Sequence, residues 1–218
     1  MLDTPPPPAP QGGMRKTLLA LLALAAALLA APVPAVHADA QADLAFGPGE
    51  KLTYHIYWTF VRAGTAELEI MAPDEGNGEP ALHYQARART TPFVDKFYKV
   101  RDRIDAWTDP GVTRSLGFDQ DQHEGNYEKR SWLEFNWDMN LVARYSRGRL
   151  RKIIQIPDGT FDALTTLFFF RTQRLYKGFR FTCPVTDGNL WVMGRALVLG
   201  KEMVETPMGE IECWKVQP

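Results

Sequence analysis

A chain of 218 residues with 25 Lys plus Arg against 26 Asp plus Glu carries a net charge of −1, and so even a balance argues against nucleic acid as its main partner. Two cysteines and four histidines, without a His-x-x-x-His spacing, fit neither a zinc-finger nor a metalloprotease pattern, and no cofactor motif is present. Beyond the N-terminal segment, no run approaches the roughly 20 apolar residues that a membrane-spanning helix needs.

Residues 1–13, with Pro5 to Pro8 in succession, do not read as the start of an export signal, because the charged start normally abuts the apolar run. Met14 stands directly before Arg15 and Lys16. Translation is therefore expected to begin there, with residues 1–13 a gene-start error or a disordered extension. Residues 14–40 have the parts of a secretory signal peptide in order: the basic pair, the uncharged run Thr17 to Ala31, and small residues ending in Ala38-Asp39-Ala40. Cleavage is expected after Ala40, with Ala38 as the second choice. That delivers residues 41–218 to the periplasm as a single β-rich domain.

Alternation then dominates the chain. Leu52, Tyr54, Ile56, Trp58 and Phe60 share one face of a first strand, and Arg62-Ala63-Gly64 is expected to turn into a second, where Ala66, Leu68 and Ile70 face inward. Asp74 to Gly78 reads as a loop by its turn chemistry. A third strand points Leu82, Tyr84, Ala86 and Ala88 inward, and strand-like segments follow at about 98–108, 112–120, 126–137, 140–147, 150–156, 178–185, 189–204 and 208–217. Only residues 161–174 have the length and mixed apolar character of a helix, with Thr160 placed to cap it. The expected class is mostly β: an antiparallel curled sheet, or a partly open β-barrel, with that one helix covering it. Cys183 and Cys213 would lie, in a simple meander, on strands flanking a common neighbour, roughly 9.5 Å apart and beyond disulfide reach. An oxidising compartment favours a bond, so both states stay open.

Four stretches, FGPGEKLTYHIYW with RAGTAELEI, FYKVRDRIDAW, DALTTLFFFRTQRL and TPMGEIECWKVQP, stand in an order and spacing that resemble the exported bacterial family catalogued as domain of unknown function 3108. The resemblance covers Phe46 to Pro218. It implies a periplasmic, mostly antiparallel β domain and brings no catalytic motif. Members of that family continue past the segment like Trp214-Lys215-Val216, so it also implies a domain lacking its last strands, with an unpaired sheet edge.

Candidate chemistry is sparse. Asp119, Asp121, His123 and Glu124 cluster, yet the spacing favours a solvated acidic loop over a metal site. No Gly-x-Ser-x-Gly elbow or cysteine nucleophile pattern appears. Asp102 with Asp105, or Glu124 with Glu128, offers acid–base chemistry only where the fold makes them converge. In a strand Asp102 shares the apolar face while Arg101 and Arg103 lie opposite. A buried carboxylate needs a partner, expected from Arg171 on the helix or Arg89 on the preceding strand. These five residues are candidates for a structural ion pair or a ligand-orienting pair. Arg144, Arg147, Arg149, Arg151 and Lys152 form an acid-free run, either a solvated hairpin or a patch for anionic lipid headgroups or acidic polysaccharide. Trp58, Phe60, Phe168, Phe169 and Phe170 are candidates for an apolar cavity, since three successive phenylalanines cover more than half of a helix circumference. The function expected is a non-enzymatic periplasmic module that binds an amphipathic, lipid-like envelope component or an envelope-assembly protein. The competing classes are an envelope glycan or ester hydrolase with convergent carboxylates, and a structural module pairing through a sheet edge.

Overall fold

Residues 44–218 are described by a computed structural model; the expectations for residues 1–40 lie outside the described residues. The alternating segments fold as strands β1 (Lys51–Trp58), β2 (Val61–Ile70), β3 (Asp74–Gly76), β4 (Glu79–Thr90), β5 (Arg101–Thr108), β6 (Ser115–Glu124), β7 (Tyr127–Asn136), β8 (Leu141–Ser146) and β9 (Arg149–Gln155). Eight of them run β1-β2-β4-β5-β6-β7-β8-β9 across one large sheet, with β3 paired to β4 off this path. A second sheet has the order β10 (Arg180–Thr186), β11 (Trp191–Thr206), β12 (Gly209–Gln217). All strand pairings are antiparallel, all but β2–β4 join neighbours in sequence, and neither sheet closes on itself, so the fold is the curled sheet and not the barrel.

Two turns differ from expectation. The chain reverses at Thr59-Phe60, with Thr59 at φ 56°, and not at Arg62-Ala63-Gly64, which lies inside β2. Gly64 serves a close approach there: a Cβ would stand 2.6 Å from the Arg89 carbonyl oxygen on β4. The expected loop at 74–78 is instead a tight hairpin, in which β3 pairs with β4 through Asn77-Gly78 at φ 55° and 78°. Both central residues are left-handed, the Asn-Gly signature of a two-residue hairpin turn.

The helix is shorter than its sequence pattern. Phe161 pairs its backbone with β10, donating to Pro184 O at 2.9 Å and accepting from Thr186 N at 2.9 Å, so the expected first turn is spent on a bridge between elements. Helix α2 therefore spans only Thr165–Arg171; the earlier one-turn helix α1 is Pro92–Asp95. Asp162, and not Thr160, satisfies the start of α2. Its Oδ1 accepts from the backbone N–H groups of Leu164 and Thr165 at 2.8 and 2.9 Å, and its Oδ2 accepts from the hydroxyls of Ser115 and Thr165, both at 2.7 Å. The Thr160 hydroxyl donates to Pro157 O at 2.7 Å instead.

Helix α2 lies between the sheets and explains its three phenylalanines. Leu164, Leu167 and Phe168 join the core of the large sheet with Tyr84, Phe118 and Leu133, while Phe170 joins Phe181, Cys183 and Val198 on the small sheet. Phe169 touches both cores, stacking on Phe161 at 4.4 Å. Cys183 and Cys213 sit on β10 and β12 with β11 between them and remain buried thiols, as the meander geometry requires. Burial pushes the Cys183 thiol up to about 11, against a hydrogen bond with Thr166 that lowers it.

Candidate functional site

At seven residues, α2 is about 10 Å long, whereas β4, at twelve residues, runs for about 40 Å. The helix therefore covers the inner face of the large sheet at one end only. Phe168 stacks on Tyr84 at 4.0 Å; beyond it, toward the β1–β2 turn, the inward positions are small. Tyr54, Ala66 and Ala88 are in register across β1, β2 and β4, and Ala88 faces Asp102 on β5. The neighbouring row is Leu68, Ala86 and Ile104. With Gly64, these alanines floor an open apolar groove of about 170 Å³, walled by Tyr54, Ile56 and Ile104. Burial pushes the Tyr54 phenol up to about 12, with Arg171 opposing and Glu50 and Cys213 adding to it, so the ring stays neutral.

Asp102 and Gln122 close the groove on its polar side. The Asp102 carboxyl is 8% exposed. Its Oδ1 accepts from the His123 backbone N–H at 3.0 Å, and its Oδ2 meets no hydrogen-bond donor. Burial raises its affinity for a proton; the His123 N–H and the side chains of Glu124 and Gln122 beside it act the other way. Gln122 Nε2 donates to Glu124 Oε1 at 3.3 Å.

Past β6 the same face turns basic. Gln122 is in register with Lys129 on β7, and five cations, Lys129, Arg130, Arg144, Arg147 and Arg151, with the one acid Glu128, border a polar pocket of about 310 Å³. The expected basic run is thus divided. Arg144 packs inward beneath the β10–β11 turn, where a Cβ on Gly188 would approach its Cβ to 2.9 Å; Arg147, Arg149, Arg151 and Lys152 are exposed.

The partners expected for Asp102 lie elsewhere. Arg171 forms a two-pronged pair with Glu50 at 2.6 and 3.1 Å, with its guanidinium 4.8 Å from the Phe46 ring centre. Being in the last turn of α2, it meets the residue just before β1, level with the middle of β5, whereas Asp102 is second in β5, toward the other end of the sheet. Arg89 points to the outer face, because its neighbour Ala88 is the residue in register with Asp102; it lies 3.7 Å from Glu67. Arg101 holds Asp95 of α1 at 2.6 Å. Arg103 holds Asp105 on the outer face at 2.6 Å, where His83 at 2.9 Å and Gln85 at 2.7 Å complete the set. Burial pushes the Asp105 carboxyl up, but these three hydrogen bonds outweigh it and hold the group well below the usual carboxylate range.

The aromatic candidates also separate. Phe168 and Phe170 are core, and the face they leave over is consumed by the small sheet, which periodicity in one helix does not reveal. Trp58 and Phe60 are 78% and 89% exposed at the β1–β2 turn and lie outside the groove. Alternation places Ala66, Ala86 and Ala88 inward but assigns Gly64 to a turn; the signal of a groove in the sequence is the run of small residues, Gly64, Ala66, Ala86 and Ala88. Among the described residues no group of three His, Cys, Asp or Glu is placed to hold a metal ion, and no helix is long and apolar enough to cross a membrane.

An antiparallel β domain with one inter-sheet helix and an open, small-residue groove defines the class of molecule. A family model described as "Protein of unknown function (DUF3108)" matches residues 53–218, and the chain belongs to that family. No curated protein and no solved structure matches it.

Proposed function

We propose that this chain is a non-enzymatic module of the cell envelope, exported through residues 14–40, that binds an amphipathic, lipid-like molecule with an anionic head. The observation that supports it is the groove itself: an unfilled apolar trough, floored by Gly64, Ala66, Ala86 and Ala88, continuous through Gln122 with a basic rim. Its 170 Å³ is below the ~300–1,000 Å³ of pockets that engulf a small molecule, which suits part of an apolar tail with the remainder outside. From Ala88 on β4 to Lys129 on β7 is three strand spacings, about 14 Å. A tail over the alanines thus places its head among Lys129, Arg144 and Arg151.

The carboxyls do not favour a hydrolase. Asp102 and Asp105, three residues apart on β5, lie on opposite faces of the sheet and so do not converge across one cleft, as glycoside hydrolysis requires of its two carboxyls.

Native mass spectrometry of the chain purified gently from its own envelope is expected to show a copurifying anionic amphiphile, and an intrinsically fluorescent fatty acid is expected to bind in its place. Ala88→Trp, which fills the trough, should weaken the probe by at least about tenfold, since an apolar tail displaced from contact forfeits about 0.8 kcal/mol per methylene. Absence of any copurifying ligand together with equal probe binding by the variant sinks the proposal.

A further inference from the structure

We propose that the end of the large sheet bearing the β1–β2 turn and the α1 segment is a docking surface for a lipid bilayer that carries anionic headgroups. Two loops project there. On the first, Tyr57, Trp58 and Phe60 are 58%, 78% and 89% exposed; on the second, Phe93 and Phe97 are 59% and 77% exposed. The loops form one surface, because the Thr91 backbone N–H donates to Ala63 O at 2.9 Å and the Thr91 hydroxyl donates to Arg62 O at 3.3 Å. None of the five rings belongs to either core, so packing of the fold does not account for them. Large apolar side chains gathered on one exposed surface mark an interaction site. Aromatic rings beside cations suit the headgroup boundary of a bilayer, where the ring meets the acyl region and the cation stays among phosphates.

The charges select the occupant. Arg62, Lys96 and Lys99 lie on the same two segments; Arg62 donates to the Thr65 hydroxyl at 3.1 Å, and Lys99 adds its charge to that of Arg101 around Asp95. The acid between them, Asp95, is taken by Arg101 at 2.6 Å. On these segments and at the first residue of β5, Arg62, Lys96, Lys99 and Arg101 thus stand against the single acid Asp95, a net positive charge complementary to an anionic leaflet. A second copy docked face to face would set cation against cation, since a two-fold contact brings the same patch together. Ile56, Ala63, Gly64, Thr90 and Val100, which line the open groove, lie at this end of the sheet. The surface stands on its own observations, however, whether or not a tail enters that groove.

The test is cosedimentation of the full chain with vesicles of phosphatidylcholine alone and of phosphatidylcholine mixed with phosphatidylglycerol. Wild type and variants are compared so that residues 1–43 contribute equally. The wild type is expected to sediment preferentially with the anionic vesicles, and Trp58 emission to be quenched by brominated acyl chains, identified by its loss in Trp58→Phe. The triple variant Trp58→Ser, Phe60→Ser, Phe97→Ser should lose at least about tenfold in partitioning. Reversal of Arg62, Lys96 and Lys99 to Glu should cost about fivefold or more per residue on anionic vesicles. All six positions are exposed, and circular dichroism with thermal melting verifies the fold. Partitioning unchanged in both variants, or equal for the two vesicle types, overturns the proposal. So does an aromatic variant that alters only the oligomeric state in analytical sedimentation. Ala88→Trp keeps vesicle binding even where it abolishes the fatty acid probe, so loss of the groove reading and loss of the docking surface are told apart.

Discussion

Asp102 shows how a single carboxyl can be buried without the arginine that charge counting demands. Its inner-face position follows from strand alternation, and its support is a backbone N–H and a neighbouring carboxyl. Because burial raises its proton affinity, the folded state favours the protonated group. The stability this contributes is fully present at pH below the ordinary carboxylate value of about 3.9 and declines as pH rises through the folded value. Asp102→Asn keeps an oxygen for the His123 N–H and removes the titration. Thermal melts are expected to place the variant above the wild type at neutral pH, with the gap closing toward pH 4; a gap independent of pH contradicts the burial-raised proton affinity of Asp102. Asp105, two residues on, has the opposite sign: its hydrogen bonds hold it ionised, so its contribution is lost only as pH falls.

Helix α2 is too short to be stable alone, and two side-chain devices fix it between the sheets. Asp162, fully buried, accepts four hydrogen bonds from α2 and from Ser115 on β6. Asp162→Ala leaves two backbone donors and two hydroxyls without that acceptor, and is expected to cost about 3 kcal/mol in chemical denaturation. At the other end, Glu50 receives Arg171 with side chains 17% and 10% exposed. Glu50→Ala strands the guanidinium against Phe46 and Phe168 and should cost about 3 kcal/mol. The double variant with Arg171→Met should recover part of that loss, because an uncharged side chain no longer needs the partner.

At the scale of the whole molecule, the inner face of the large sheet is graded: core under α2, then an alanine trough, then a carboxyl and amide band, then cations. Aromatic loops stand at the same end as the trough. Such a surface accounts for a chain of nearly zero net charge that still has strongly apolar and strongly basic places, and it makes the loss of probe binding in Ala88→Trp a test of the face as a unit. The strand pattern, the inward and outward sets, the meander and the family were legible from the residues in order, because period-two alternation and turn chemistry act between near neighbours. The β1–β2 turn misled because Gly64 is required by the carbonyl of Arg89, twenty-five positions away, and not by local backbone. The helix misled for the same reason, since Phe161 answers to β10. Which cation meets Asp102, which phenylalanine is left over, and whether alanines form a floor or a trough depend on what is packed above each face. Those were decided by tertiary structure alone, through the register of strands distant in sequence and the length of one helix.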